Sequence, residues 1–138
     1  MVKGRPMAEV DKSEKITINI GLVDLGQIDL LVDEGFYANR TDFIRTAIRR
    51  QLESRAAAVN DTVARRTLTL GTHHLSRRHL EGLRNAGQTI DLRVLGLATV
   101  ADDVSPELAL ATIASVEVLG AFRASRAVKA ALAPRTTT

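Results

Sequence analysis

Cysteine and tryptophan are missing from the sequence, which has one tyrosine and three phenylalanines. Without cysteine there is no disulfide, no thiolate nucleophile and no cysteine-based zinc site, a composition that fits a reducing compartment. Aromatics make up 3% of the chain, so any core must be aliphatic and cannot rely on ring stacking. No apolar run reaches the length of a membrane span. The opening residues, MVKGRPMAEVDKSEK, lack the apolar centre of a secretion signal, so a cytoplasmic location is expected. Large net charge is absent too. At +3 over 138 residues, the total is too small to mark a nucleic-acid binder by itself. No Ser-His-Asp or paired-carboxylate arrangement stands out, and Asp102-Asp103 falls in a loop where solvation explains it. Neither an enzymatic activity nor a cofactor is expected.

Hydrophobic residues make up 45% and charged residues 25%, enough for most of the chain to fold. The charges are sorted. Asp24, Asp29, Asp33 and Glu34 cluster, and Arg40, Arg45, Arg49, Arg50 and Arg55 follow, so a balanced total hides an acidic and a basic face. Residues 1–13 are polar, contain Gly4 and Pro6, and read as a disordered arm whose Lys3 and Arg5 could touch a polyanion.

In KITINI, Ile16, Ile18 and Ile20 alternate with Lys15, Thr17 and Asn19, the mark of a strand with one buried and one wet face. No second strand of similar quality follows within hairpin distance. Leu25, Ile28, Leu31 and Val32 then recur at helical spacing, with Asp24 and Gln27 spaced as a capping box and Gly35 placed to end the helix. After Phe36, Tyr37 and Ala38, Asn39 opens a second helix with Asp42 as its reciprocal cap. Phe43, Ile44, Ala47, Ile48 and Leu52 form its apolar stripe.

One strand and two helices in about 40 residues cannot bury a sufficient core alone, and a lone strand leaves both edges unpaired. A second copy resolves both problems. Two strands pair antiparallel across a twofold axis, and four helices close over Ile16, Ile18 and Ile20 together with Ile28, Leu31, Phe43, Ile44 and Ile48.

Residues 14–54, within an expected DNA-binding and dimerisation domain at 14–55, resemble the ribbon-helix-helix family of DNA-binding regulators. The likeness rests on KITINI, the acidic first helix, Gly35 and NRTDFIRTAIRRQL. It implies an intertwined homodimer whose two-stranded ribbon enters the major groove of double-stranded DNA. Lys15, Thr17 and Asn19 would then face the bases. Asn pairs with adenine, Lys donates to guanine, and Thr hydrogen-bonds or packs on thymine. The start of the second helix, Asn39-Arg40-Thr41, offers N–H groups, a guanidinium and a hydroxyl to phosphate. The resemblance implies that this helix start grips the backbone beside the ribbon. Arg45, Arg49 and Arg50 read as a solvated or salt-bridged face.

Residues 56–66 read as a helix extension running into a linker, with Asn60-Asp61 as its break. From Thr67 to residue 133 the chain echoes itself. RVLGLATVADDVSPEL and EVLGAFRASRAVKAAL align with Gly96 over Gly120 at an offset of 24, matching Val94 with Val118, Leu95 with Leu119, Val104 with Val128 and Leu108 with Leu132. A fainter copy aligns Gly71 with Gly96 and Leu83 with Leu108. Each copy reads strand, glycine, loop and short helix, with Ser76, Ser105 and Ser125 as caps and Pro106 at a first helical position. This is a small (βα)3 repeat-like domain expected to serve oligomerisation or sensing, either a true stack open to further copies or a compact domain of chance regularity. Residues 134–138 read as a disordered tail. His73, His74 and His79 cluster here but lack the fixed, supported spacing of metal ligands, so no metal is expected.

The whole is an α+β chain. The leading expectation is a transcriptional regulator, most simply a repressor, acting as a dimer or higher oligomer on the nucleoid. An architectural or filament-forming protein anchored on DNA is one alternative, and the antitoxin of a toxin–antitoxin pair is another.

Overall fold

The computed structural model describes residues 12–137. Most of the arm expected at 1–13, including Lys3 and Arg5, therefore lies outside the described residues. The chain is α+β and divides into two compact units, Ser13–Thr62 and one beginning at Val63.

In the first unit, residues 12–21 hold no regular element. Helix α1 spans Leu22–Asp33. Its N-cap is Gly21, with no side-chain cap, so the expected Asp24–Gln27 capping box is not the start of this helix. Asp24 instead lies inside the first turn, where a carboxylate still favours the positive end of the helix dipole. Gly35 ends the helix at φ 87°. The N–H of Phe36 bonds the Leu31 carbonyl and that of Gly35 the Val32 carbonyl, a Schellman closure that a side chain with Cβ would strain. Helix α2 spans Arg40–Ser54.

Helix α3, Ala56–Arg66, runs unbroken through Asn60-Asp61. The break falls at Arg55 instead. Two polar residues cost only about half a kcal/mol each inside a helix, too little to stop one that alanines support. Helix α3 ends at Thr67, which takes φ 55°, a left-handed conformation unusual for a β-branched residue. The N–H of Leu68 closes on the Val63 carbonyl there.

The second unit alternates strand and helix. Strand β1 (Thr69–Leu75) leads to α4 (Arg77–Asn85), β2 (Ile90–Val100), α5 (Pro106–Thr112), β3 (Ile113–Arg123) and α6 (Arg126–Leu132). The strands form one parallel sheet in chain order, and Gly71, Gly96 and Gly120 are successive partners across it. Val94 pairs Val118 and Leu95 pairs Leu119, the same pairs as in the sequence echo. All three glycines take φ between 118° and 137°. A Cβ on Gly96 would lie 2.2 Å from the Gly71 carbonyl oxygen, and one on Gly120 2.1 Å from that of Gly96. Glycine is thus required at 96 and 120 by the carbonyl stacked beside each as well as by φ.

The helices do not keep the strand offset. Ser76, Ser105 and Ser125 each accept the N–H three residues on, from His79, Leu108 and Val128. Leu108 is therefore equivalent to Val128, not to Leu132 or Leu83 as the sequence alignment has it. The extra loop Ala101–Val104 delays α5, whereas strand register is fixed by the backbone ladder and tolerates no slip. Leu75, Leu80, Leu92, Val94, Leu108, Ile113, Val116, Val128 and Leu132 form the aliphatic core. Pro106 stands in the first turn of α5.

The tail expected to be disordered is ordered through Thr137. Residues Ala133–Arg135 form a 3-10 turn, and β4 (Thr136–Thr137) pairs with Val116 and Glu117 of β3. One guanidinium nitrogen of Arg135 donates to the carbonyls of Leu110 (2.7 Å) and Ile113 (2.8 Å), which holds the turn against the junction of α5 and β3.

Candidate nucleic-acid interface

Lys15, Thr17 and Asn19 are all exposed in the segment ahead of α1. So are the isoleucines between them, Ile16 at 74% and Ile18 at 62%, while Ile20 is half-buried. Among the described residues no strand pairs with this segment, because the one sheet is built from β1 to β4. Of the expected dimer-core residues, Ile28 is buried, Leu31, Phe43 and Ile44 are half-buried, and Ile48 is exposed. Leu22, Val23, Leu30, Phe36 and Leu52 are exposed as well. Ile28 is the one fully buried residue described in this unit. The Tyr37 ring stands edge-on to Phe43 at 5.0 Å and fixes the connection between the helices.

Asn39, Arg40 and Thr41 lie together and exposed at the start of α2. The Asn39 side chain accepts the N–H of Asp42 at 2.8 Å. The Asp42 carboxylate accepts the N–H of Ala38 at 2.9 Å, so the return arm of the cap reaches one residue earlier than a capping box requires. The first i−4 bond of the helix is made by Phe43 to Asn39. The N–H groups of Arg40 and Thr41 precede it and face out of the helix start.

The Arg40 guanidinium donates twice to Asp29 of α1, at 2.7 and 2.8 Å. This fork sets α2 against α1. The hydrogen bond from Arg40 holds the Asp29 carboxyl below the usual carboxylate range, and the same bond pushes Arg40 upward. The sequence marks Arg40 as a phosphate ligand and Asp29 as one of an acidic cluster, without pairing the two. The signal was present as an acidic first helix, yet spacing alone does not choose among its acids. Arg45, Arg49 and Arg50 are exposed on α2.

In the second unit His74 lies apart from His73 and His79. His74 Nδ1 lies 2.5 Å from the Thr99 hydroxyl. His73 and His79 line an open cleft of about 530 Å³ with Asp91 and Arg93. Among the described residues no group of three or more His, Asp or Glu side chains is placed to hold a metal ion. Glu117 accepts hydrogen bonds from Arg66 and from Arg93, the latter at 3.0 Å. Chiefly through the Arg66 bond, its carboxyl is held below the ordinary glutamate range. None of the described helices is long and apolar enough to cross a membrane.

Residues 11–129 match the model of the Ribbon-Helix-Helix transcriptional regulator family. The chain belongs to this family. The match runs well past the 14–54 stretch that carries the resemblance in the sequence and reaches from β1 into α6, so the second unit is part of the family pattern too. No curated protein and no solved structure matches the chain. Ribbon-helix-helix regulators bind DNA and dimerise.

Proposed function

We propose that this ribbon-helix-helix protein is a sequence-specific repressor that reads DNA as an intertwined homodimer. Residues 15–20 of two copies pair antiparallel and turn Ile16, Ile18 and Ile20 inward against α1 and α2. Lys15, Thr17 and Asn19 of both copies then face the major groove, where each good side chain–base pair discriminates by about 1–3 kcal/mol. Asn39, Arg40 and Thr41 hold the flanking phosphates and fix the register without reading sequence. Residues 67–133 gather further copies, and the protein acts by occupancy on the nucleoid, in the cytoplasm, without a cofactor.

The observation that carries this reading is the exposure of alternate isoleucines in a segment that has no partner strand among the described residues. A folded protein rarely leaves such a row in water, and the polar residues between are the types that read bases. Selection of bound duplexes from a random pool tests it. Lys15→Ala and Asn19→Ala should each lower preference for the selected site by about tenfold or more, with the dimer mass unchanged. A preference that survives both substitutions removes ribbon readout.

A further inference from the structure

Strand β1 joins β2 only from Thr69, which stands level with Val94. Strand β2 has begun four residues earlier, at Ile90. The cleft of about 530 Å³ opens at this step, and Ile90, Asp91, Leu92 and Arg93 all line it. Thr67 and Thr69 reach it from the start of β1, His73 from the later part of β1, and His79 from the first turn of α4. A volume of this size suits one small organic molecule.

The polar groups around the cleft fall into two sets. Asp91 and Arg93 are engaged: the Asp91 carboxylate accepts the Ser115 hydroxyl at 2.6 Å, and Arg93 donates to Glu117 at 3.0 Å. The side chains of Thr67, Thr69, His73 and His79 have no hydrogen bond or ion pair among the described residues. Each can donate through an N–H or O–H. Ile90 and the buried Leu92 supply the apolar part of the wall. Thr67 adds a second sign. Among the described residues it is the one residue other than glycine with a positive φ, at 55°. Strain of this kind persists only where the surrounding structure enforces it, and it gathers at ligand sites.

We propose that this cleft binds a small organic acid, a carboxylate carrying a short apolar body. Free donors without a free cation suit a single negative charge shared by two oxygens. A phosphate dianion calls for a guanidinium or ammonium, and the one cation that lines the cleft among the described residues is held by Glu117. The carboxylate takes the imidazoles of His73 and His79, and the body lies on Ile90 and Leu92. The imidazole pair is not a metal site, because among the described residues no third His, Asp or Glu is placed to complete one. The proposal goes beyond the reading of DNA and does not depend on it.

The three histidines of the chain make the site readable. His74 is the neighbour of His73, but it lies on the Thr99 hydroxyl and does not line the cleft. Successive side chains of a strand point to opposite faces of the sheet, so a ligand in the cleft meets His73 and leaves His74 alone. Thr69 lines the cleft and is exposed, so a charge placed there acts on the ligand without entering the core.

The test uses the full chain free of DNA, so its failure leaves ribbon readout untouched. The ring resonances of the histidines are assigned with His73→Gln, His74→Gln and His79→Gln and followed by NMR as hexanoate is added. His73 and His79 should shift together and saturate with one dissociation constant, while His74 stays in place. Acetate, which lacks the body, and hexanol, which lacks the charge, should each bind at least about tenfold more weakly. Inorganic phosphate should bind no better than acetate. Thr69→Glu should weaken hexanoate by about tenfold or more through like charge, and Thr69→Gln should weaken it less. Circular dichroism checks that the variants fold. If Thr69→Glu does not, His79→Ala replaces it, at an exposed position whose side chain makes no bond among the described residues, and should cost about fivefold. No saturable shift of His73 and His79 up to about 20 mM hexanoate, or an equal shift of His74, overturns the proposal. So does hexanol or phosphate binding as tightly as hexanoate, or unchanged affinity in the folded variant.

Discussion

Arg40 stands at the mouth of α2 with both arms of its guanidinium on Asp29. In the proposed complex it must turn to a phosphate, so Asp29 acts as an internal competitor for that contact. Asp29→Asn should therefore raise DNA affinity by roughly two- to fivefold, the range an exposed ion pair commands, and should steepen the salt dependence by about one phosphate contact. A titration at several salt concentrations measures both. Glu117 presents the other legible electrostatic effect. Its carboxyl is held low by Arg66 and Arg93 in the folded state, so the folded protein binds its proton less readily than the unfolded chain does. The stabilisation is present above the ordinary glutamate range and disappears as pH falls through the lowered folded value. Wild type should lose stability in acid below about pH 4, and Glu117→Gln should flatten that loss in a series of denaturant melts.

At the scale of single elements, local chemistry decides where helices begin and end. Asn39, Ser76, Ser105 and Ser125 cap α2, α4, α5 and α6 with their own side chains, and each is recognisable in sequence as a polar residue ahead of an apolar stripe. Asp24 shows the limit of that reasoning, because Gly21, three residues upstream, starts the helix without a side-chain cap. Thr67 is the exception among the helix ends. It holds a left-handed conformation that glycine would adopt without strain. Thr67→Gly should stabilise the second unit by about 1 kcal/mol, read as a shift in its denaturant midpoint. An unchanged or lower midpoint would show that the Thr67 side chain contributes more than its backbone costs.

For the whole molecule the deciding fact is how little the first unit buries. Within one chain Ile28 is its one fully buried residue described, while Ile16, Ile18, Leu22 and Leu52 face water. In a monomer Ile18→Lys would be nearly neutral, since the side chain is already exposed. In the proposed dimer it places a charge inside the core and should cost about 3 kcal/mol or more per copy. Melting temperature followed over a hundredfold range of concentration separates the cases. The wild-type transition of this unit should rise with concentration, and the variant should lose it.

The α+β character, the helices α1 and α2, the polar caps and the pairing of Gly96 with Gly120 were all open to reading from the sequence, because each is set by neighbours along the chain or by a repeat within it. The family resemblance was open to reading on the same grounds, through KITINI and the start of α2. Other features depended on residues far apart meeting in space. The choice of Asp29 as the partner of Arg40, the continuous path of α3 through Asn60-Asp61, the late start of α5 after its longer loop, and the ordering of Thr136–Thr137 on β3 are of this kind. Sequence determines which groups can cap, alternate or stack, since those are local or periodic properties. Only the tertiary structure decided that Thr136–Thr137 lie beside Val116 and Glu117 of β3, because that pairing joins residues about twenty apart in the chain and no local or periodic property selects it.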